Sequence, residues 1–281
     1  MMRSGELDAF LSDYPRAIVA ELASVRGSSP REAGTFMVIA PDALLGTIGG
    51  GALEHMVIDR ARRALRGMVD VALGPEIGQC CGGRAVVMLR VVLRPERDRL
   101  IARLLASEAL RPDVFVFGSG HVGRALTRAL AALPLQVHVI DTRPGELHDL
   151  PDGVDARSVP MPEAVVRSAP EGSSYVILTH DHALDFLIAA EALKRVDAPY
   201  IGMVGSKTKR AKLRSWYLSE AGGTDGMLRR LVLPIGDFGL VDKRPEVIAA
   251  LAAAEIMVQI GRREVSVERA PETVEAGADL V

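Results

Sequence analysis

A chain of 281 residues, 48% hydrophobic and 25% charged, is long enough for one large or two ordinary domains with a sizeable core. A net charge of −2 argues against bulk attraction to nucleic acid or a membrane surface, and no apolar run approaches the roughly twenty residues of a membrane helix. Two cysteines make no disulfide framework, and Met1-Met2-Arg3-Ser4-Gly5-Glu6 lacks the apolar core of a secretory signal, so a cytoplasmic protein is expected.

Residues 1–110 read as a small α+β unit. Ala17–Val25, Thr35–Ile39 and Ala85–Leu93 are predicted strands, and one predicted helix, Ala52–Arg66, lies between them. Leu53, Val57, Ala61, Ala64 and Leu65 form its apolar stripe, with Arg60, Arg62, Arg63 and Arg66 outside it. Gly46-Thr47-Ile48-Gly49-Gly50-Gly51 leads directly into this helix. Three consecutive glycines cost conformational entropy, so Gly49, Gly50 and Gly51 make sense where backbone must approach a ligand or another strand. An anion at the helix N-terminus and a tight strand-to-helix turn explain them equally well. Glu54, in the first turn beside His55, is a candidate site residue or simply a favourable charge at the positive end of the dipole.

Both cysteines lie in Gly78-Gln79-Cys80-Cys81-Gly82-Gly83. Neighbouring side chains do not easily reach disulfide geometry, and no Cys-x-x-Cys pair or four-thiolate set exists for zinc. Cys80 and Cys81, framed by Gln79 and Gly82, are therefore read as soft ligands for a transition metal or sulfur transfer, as a redox pair, or as two small buried side chains.

The boundary falls near Leu110-Arg111-Pro112-Asp113, where proline interrupts the pattern. Val114–Phe117 then reads as a strand, followed by Gly118-Ser119-Gly120-His121-Val122-Gly123 and a helix over Val122–Ala132. Strand, Gly-x-Gly-x-x-Gly and helix in this order build a phosphate site. Gly118 permits the tight turn, Gly120 lets backbone approach a pyrophosphate and Gly123 allows close helix–strand packing; the helix N–H groups face the anion, and His121 within the motif is a further candidate for ligand contact. A second strand, Val137–Ile140, ends at Asp141, about twenty residues on, where a ribose-binding acid belongs. Arg143 could accept an added phosphate or be solvated, so the nucleotide is not chosen.

Further strands are predicted at Tyr175–Leu178, Tyr200–Val204 and Leu231–Leu233, with helices at Pro162–Ser168, Ala183–Arg195 and Ser206–Ala221. The alternation implies a parallel sheet covered on both faces, a Rossmann-like domain over residues 111–262 preceded by the smaller α+β domain. Thr179-His180-Asp181-His182 ends the third strand, where ligands sit in open α/β sheets. His180 and Asp181 could hydrogen-bond a ligand, cap the next helix or, with His182, bind metal. Ser206 is a natural helix N-cap, and five basic residues run from Lys207 to Arg214. Cations at a helix start oppose the dipole, so Lys207 and its neighbours imply a compensating anion or a solvated basic face. A last helix begins at Pro245 with the stripe Val247, Leu251, Ala254 and Val258, and residues 263–281 read as a disordered polar tail.

Together these segments resemble the XdhC/CoxI family of xanthine dehydrogenase accessory proteins. The resemblance rests on Gly27-Ser28-Ser29-Pro30-Arg31-Glu32-Ala33-Gly34, the glycine run with Leu53-Glu54, the Cys80-Cys81 loop and the Gly118 motif. It continues through Thr179-His180-Asp181, Gly205-Ser206-Lys207-Thr208-Lys209-Arg210, Pro234-Ile235-Gly236 and Lys243-Arg244-Pro245-Glu246-Val247-Ile248-Ala249. The family likeness implies a non-catalytic chaperone that binds molybdenum cofactor (molybdopterin), holds it for sulfuration by a cysteine desulfurase and helps insert it into apo-xanthine dehydrogenase. It also implies that the glycine turns and helix N-termini take the phosphate, His180 and Asp181 the pterin edge, and Cys80 or Cys81 the molybdenum or sulfur. A homodimer is expected because the small domain is read as having little core of its own. The alternatives are an NAD(P)-dependent oxidoreductase using a dinucleotide, and a scaffold that keeps the fold as architecture only. No tyrosine precedes a lysine by four residues, which removes one common hydride-transfer dyad.

Overall fold

Strand β1 (Ile18–Arg26) buries side chains on both faces, and this organises the first of two compact units into which the chain divides after Leu110. The computed structural model describes residues 2–27, 31–63, 66–74, 83–240 and 242–268. Gln79, Cys80, Cys81 and Gly82 lie outside the described residues, as do Ala64 and Leu65.

Ile18, Ala20 and Leu22 face one side of β1, while Val19, with Ala17 just before the strand, packs on the other. A strand of this kind must be covered twice. It sits centrally in an antiparallel five-stranded sheet of order β3 (Leu44–Gly46), β2 (Phe36–Ile39), β1, β5 (Gly83–Val91), β4 (Gly67–Leu73). Helix α2 (Gly51–Arg62) covers the Ile18 side through Leu53, Val57 and Ala61. Helices α1 (Ser4–Asp13) and α3 (Arg94–Ala109) cover the Val19 side through Leu7, Leu11 and Leu100.

Three helices thus replace the single one expected here. α3 is rich in arginine and fully buries Leu100 alone, so its apolar stripe is faint. α2 spans Gly51–Arg62, short of the expected Arg66, and Gly67, with φ of 100°, opens β4, whose Val69, Val71 and Leu73 alternate inward. That period-two pattern is a half-buried strand. The first unit also has apolar cores on both sheet faces, which removes the ground on which a dimer was expected.

The second unit is a parallel six-stranded sheet of order β11 (Leu231–Val232), β10 (Ile201–Met203), β9 (Ser174–Ile177), β6 (Asp113–Phe117), β7 (Gln136–Asp141), β8 (Asp155–Ser158). Phe115, Phe117, Tyr175 and Ile177 pack beneath α5 (Pro162–Ser168), α6 (His182–Lys194) and α7 (Lys207–Ser219). Val114, Val116 and Val176 pack beneath α4 (His121–Ala131) and α9 (Pro245–Glu268). A short α8 (Asp225–Leu228) precedes β11. β8 was missed in the sequence because its Asp-Ala-Arg-Ser is polar and nearly all exposed. Helix α9 runs to Glu268, correcting a tail expected from residue 263, and residues 269–281 lie outside the described residues. No helix among the described residues is long and apolar enough to cross a membrane.

One ion network braces the first unit. Glu21 on β1 accepts hydrogen bonds from Arg90, Arg99 and Arg103, the Arg99 bond at 3.1 Å, and Glu96 pairs with Arg90 and Arg99. Burial pushes the Glu21 carboxyl up, but the bonds from Arg90, Arg103 and Arg99 outweigh it and bring it down to about 2. A depressed carboxyl contributes stability that is complete above its ordinary value of 4.5 and is lost as pH falls toward 2. Glu21→Gln is expected to cost about 2 kcal/mol at pH 7, the scale of hydrogen bonds to a charged group. Urea unfolding followed by circular dichroism should show that deficit shrinking below about pH 4.5; an equal deficit at pH 3 and pH 7 would contradict it.

Candidate functional site

In the second unit the strand order reverses between β6 and β9. Open parallel sheets take ligands beyond the carboxyl ends of the strands at such a reversal. The loops meeting there are Gly118–Gly120 and Leu178–Asp181, and their backbones touch. A Cβ on Gly118 would lie 2.4 Å from the Leu178 carbonyl oxygen, and its φ of 110° already disfavours any side chain. Gly123 is held as tightly, since a Cβ there would stand 2.0 Å from the Gly118 carbonyl oxygen. Both glycines are therefore required by packing.

Gly120 is different. Its φ of −70° and ψ of −168° suit any residue, and a Cβ there would meet nothing within 4 Å. Its bareness keeps space open before the first turn of α4, where helix N–H groups have no intrahelical partner. His121, first in that helix, is exposed.

Asp141 is 4% exposed and turned inward. The Ser119 N–H donates to its Oδ2 at 2.8 Å, and Arg143 donates its N–H at 2.9 Å and its Nε–H at 3.1 Å to Oδ1. Burial pushes this carboxyl up, but the bonds from Arg143 and Ser119 outweigh it and hold it below the usual carboxylate range. Asp141 thus braces the glycine loop from below instead of projecting toward a ribose. Arg143 also reaches Glu146 at 3.4 Å, and Arg124 meets the same carboxylate at 3.2 Å.

Beyond β9, Asp181 caps α6 by accepting the Ala183 N–H at 2.8 Å, while His180 and His182 are exposed. Of the roles weighed for Asp181, the structure supplies capping. Ser206 caps α7 by accepting the Lys209 N–H at 3.3 Å, and Lys207 beside it is exposed.

Asp185 was not singled out in the sequence, and Lys209 was read only as one of the basic run opening α7. Asp185 is fully buried and Lys209 is 6% exposed, and they form an ion pair. Thr179 donates to Asp185 Oδ1 through its N–H at 3.0 Å and its hydroxyl at 2.7 Å. Lys209 Nζ also donates to the Val204 carbonyl at 2.9 Å. A signal did exist: Asp185 shares a helical stripe with Ile188, Ala189 and Ala192, and Lys209 with Leu213 and Tyr217. The anion implied by the basic run on α7 is in part Asp185, together with Asp225, which pairs with Arg214.

The glycine run of the first unit follows the same logic. Gly49, Gly50 and Gly51 have φ of 129°, 73° and 67°, a conformation that side chains resist. Glu54 folds back over them, accepting the Thr47 hydroxyl at 2.6 Å, the Gly50 N–H at 3.0 Å and the Ile48 N–H at 3.2 Å. Its carboxylate occupies the donors that an external anion would use. No group of three or more His, Cys, Asp or Glu among the described residues could hold a metal ion.

Residues 114–256 match the family model of the XdhC Rossmann domain, and residues 13–71 match that of the XdhC and CoxI family. The chain belongs to the XdhC/CoxI family. YqeB of Escherichia coli K12, described as uncharacterized, is 25% identical over 254 residues, covering 85% of this chain and 42% of that protein. The chain therefore spans less than half of that relative's length. A crystal structure described as a xanthine dehydrogenase from Bacillus halodurans matches with a TM-score of 0.73 at 21% identity, over 98% of each chain. At that identity the match shows the fold alone.

Within the XdhC Rossmann domain the Gly118, Thr179 and Ser206 loops all leave the carboxyl edge of one sheet. In the XdhC/CoxI segment the glycine run is an anion cradle filled from within. Glu54→Ala should strip that cradle of its acceptor and cost about 1–2 kcal/mol, the scale of a lost helix cap. Glu54→Gln should retain part of this through its amide oxygen. Thermal unfolding with and without phosphate checks both, and added phosphate should raise the Tm of Glu54→Ala more than that of the parent.

Proposed function

We propose that this protein binds molybdenum cofactor as cargo, holds it while a cysteine desulfurase sulfurates it, and delivers it to apo-xanthine dehydrogenase. Membership of the XdhC/CoxI family supports this reading. The observation that carries it is Gly120, the one glycine of its motif that packing does not require, with open space before the α4 N-terminus. A terminal phosphate fits that place: N–H donors and a dipole end face it, and a Cβ at Gly120 would meet no atom within 4 Å. His121, Ser206 and Lys207 stand at helix starts on the same carboxyl edge and would contact the remainder of the cofactor, as would exposed His180. Cys80 and Cys81 are the proposed soft ligands toward molybdenum or sulfur. What weighs against the dinucleotide reading is Asp141, whose oxygens are taken by Ser119 and Arg143.

Protein purified from cells supplied with molybdenum is expected to carry molybdenum and an oxidisable pterin fluorophore in near-equal amounts. Gly120→Val should cut that retention about tenfold or more while leaving Tm almost unchanged, because its backbone suits valine and its Cβ meets no protein atom. Cys80→Ala with Cys81→Ala should also weaken retention. If neither molybdenum nor pterin is retained and NADH binds with a substrate-dependent absorbance change, the oxidoreductase reading replaces this one.

A further inference from the structure

We propose that the buried Asp185–Lys209 pair is a positioning device that fixes the loops after β9 and β10 and thereby sets ligand affinity at the carboxyl edge of the sheet. The ligand half of this inference rests on the cargo-binding reading above. Asp185 stands on α6 and Lys209 on α7, yet both reach strand-end loops. Thr179, directly beyond β9, donates twice to Asp185. Val204, directly beyond β10, accepts from Lys209, and Ser206 caps the same residue's N–H.

The fit around the lysine is made in the backbone as well. A Cβ on Gly205 would lie 2.7 Å from Lys209 Cδ, so that loop is bare where the lysine stem passes. A buried ion pair is a poor stabiliser compared with apolar side chains of similar volume, because desolvation offsets its attraction. Thr179, Asp185, Lys209 and Val204 instead form a polar relay from one loop to its neighbour, whose bonds have direction and length that apolar contacts lack. Lys209 acts through these loops and is not assigned a contact with the ligand.

Three variants test this: Thr179→Val, Thr179→Ser, and Asp185→Asn combined with Lys209→Met, which leaves no unpaired buried charge. The readouts are amide hydrogen exchange across residues 178–181 and 204–208, and equilibrium binding of molybdopterin released from a purified molybdoenzyme. Thr179→Val should speed exchange in the first loop at least tenfold and raise the Kd at least fivefold. Thr179→Ser should restore both, which a purely packing role for the threonine methyl would not give. The double variant should speed exchange at residues 204–208, which lose the Lys209 bond to Val204, while the sheet amides keep their protection. The effect should be weaker at 178–181, where the Asn amide oxygen still accepts from Thr179. If it does not fold, exchange at residues 204–208 in Thr179→Val decides the matter, because the Thr179 hydroxyl also bonds Asp181 within its own loop. Faster exchange there shows the pair carrying the change from one loop to the next, and unchanged exchange there overturns the proposal. Unchanged loop exchange in Thr179→Val, or faster exchange with an unaltered Kd, overturns the proposal. A parent protein that binds no molybdopterin overturns the functional reading and the affinity half with it, and loop exchange then decides the positioning half.

Discussion

The Rossmann unit depends on backbone passing backbone where its strand order reverses. Gly118 runs against the Leu178 carbonyl, and Gly123 of α4 runs against the Gly118 carbonyl, each closer than any side chain permits. The end of β6 and the start of α4 are locked at one point against the end of β9, which is distant in sequence. Their apolar neighbours hold them there, since Val114, Val116 and Val176 below α4 are fully buried, and each such side chain stabilises the fold by about 1.5–3 kcal/mol. Loosening this contact would move the helix terminus off the crevice that it faces.

At its glycine-rich and strand-end loops each unit supplies its own anions. Asp141 takes the Ser119 N–H, Asp185 takes the Thr179 N–H and hydroxyl, and in the first unit Glu54 takes the N–H groups of Ile48 and Gly50. An unpaired backbone donor away from water is costly, so a loop that exposes several in one direction must find an acceptor before any ligand arrives. Glycine-rich corners are thus ambiguous in a sequence. The same N–H cluster serves a phosphate or an internal carboxylate, and the choice is made by a residue that is distant along the chain or one helical turn away.

This explains what the sequence made legible. The β-branched runs and the glycine motif located β6, α4 and β7 within a residue or two, because local pattern and tertiary role agree there. Ser206 and Asp181 were readable as caps for the same reason. β8 and α3 were not readable, since an exposed polar edge strand and an arginine-rich helix carry little periodic signal. Asp185 and Lys209 were hidden in a different way. Each sits on an apolar helical stripe, where a charge looks like an interruption until its partner on another helix is known. Asp141 has the spacing of a ribose acid, but its oxygens turn inward onto Ser119 and Arg143, which spacing alone does not reveal.

The charge arrangement beside Gly120 limits what this loop can do alone. Asp141 and Glu146 are matched by Arg143 and Arg124, so the side chains beneath the α4 terminus nearly cancel. What remains for a phosphate is the helix terminus itself, with a favourable charge–dipole contribution of up to about 2 kcal/mol in a partly buried setting. Micromolar retention requires about 8 kcal/mol. A bare phosphate would therefore be held weakly, and a ligand retained through purification must gain most of its affinity from its other groups. That requirement selects for a large, multifunctional molecule over a simple anion. For such a ligand the neighbouring loops would carry weight, because contacts beyond a phosphate at the α4 terminus would depend on where Thr179 and Ser206 are held.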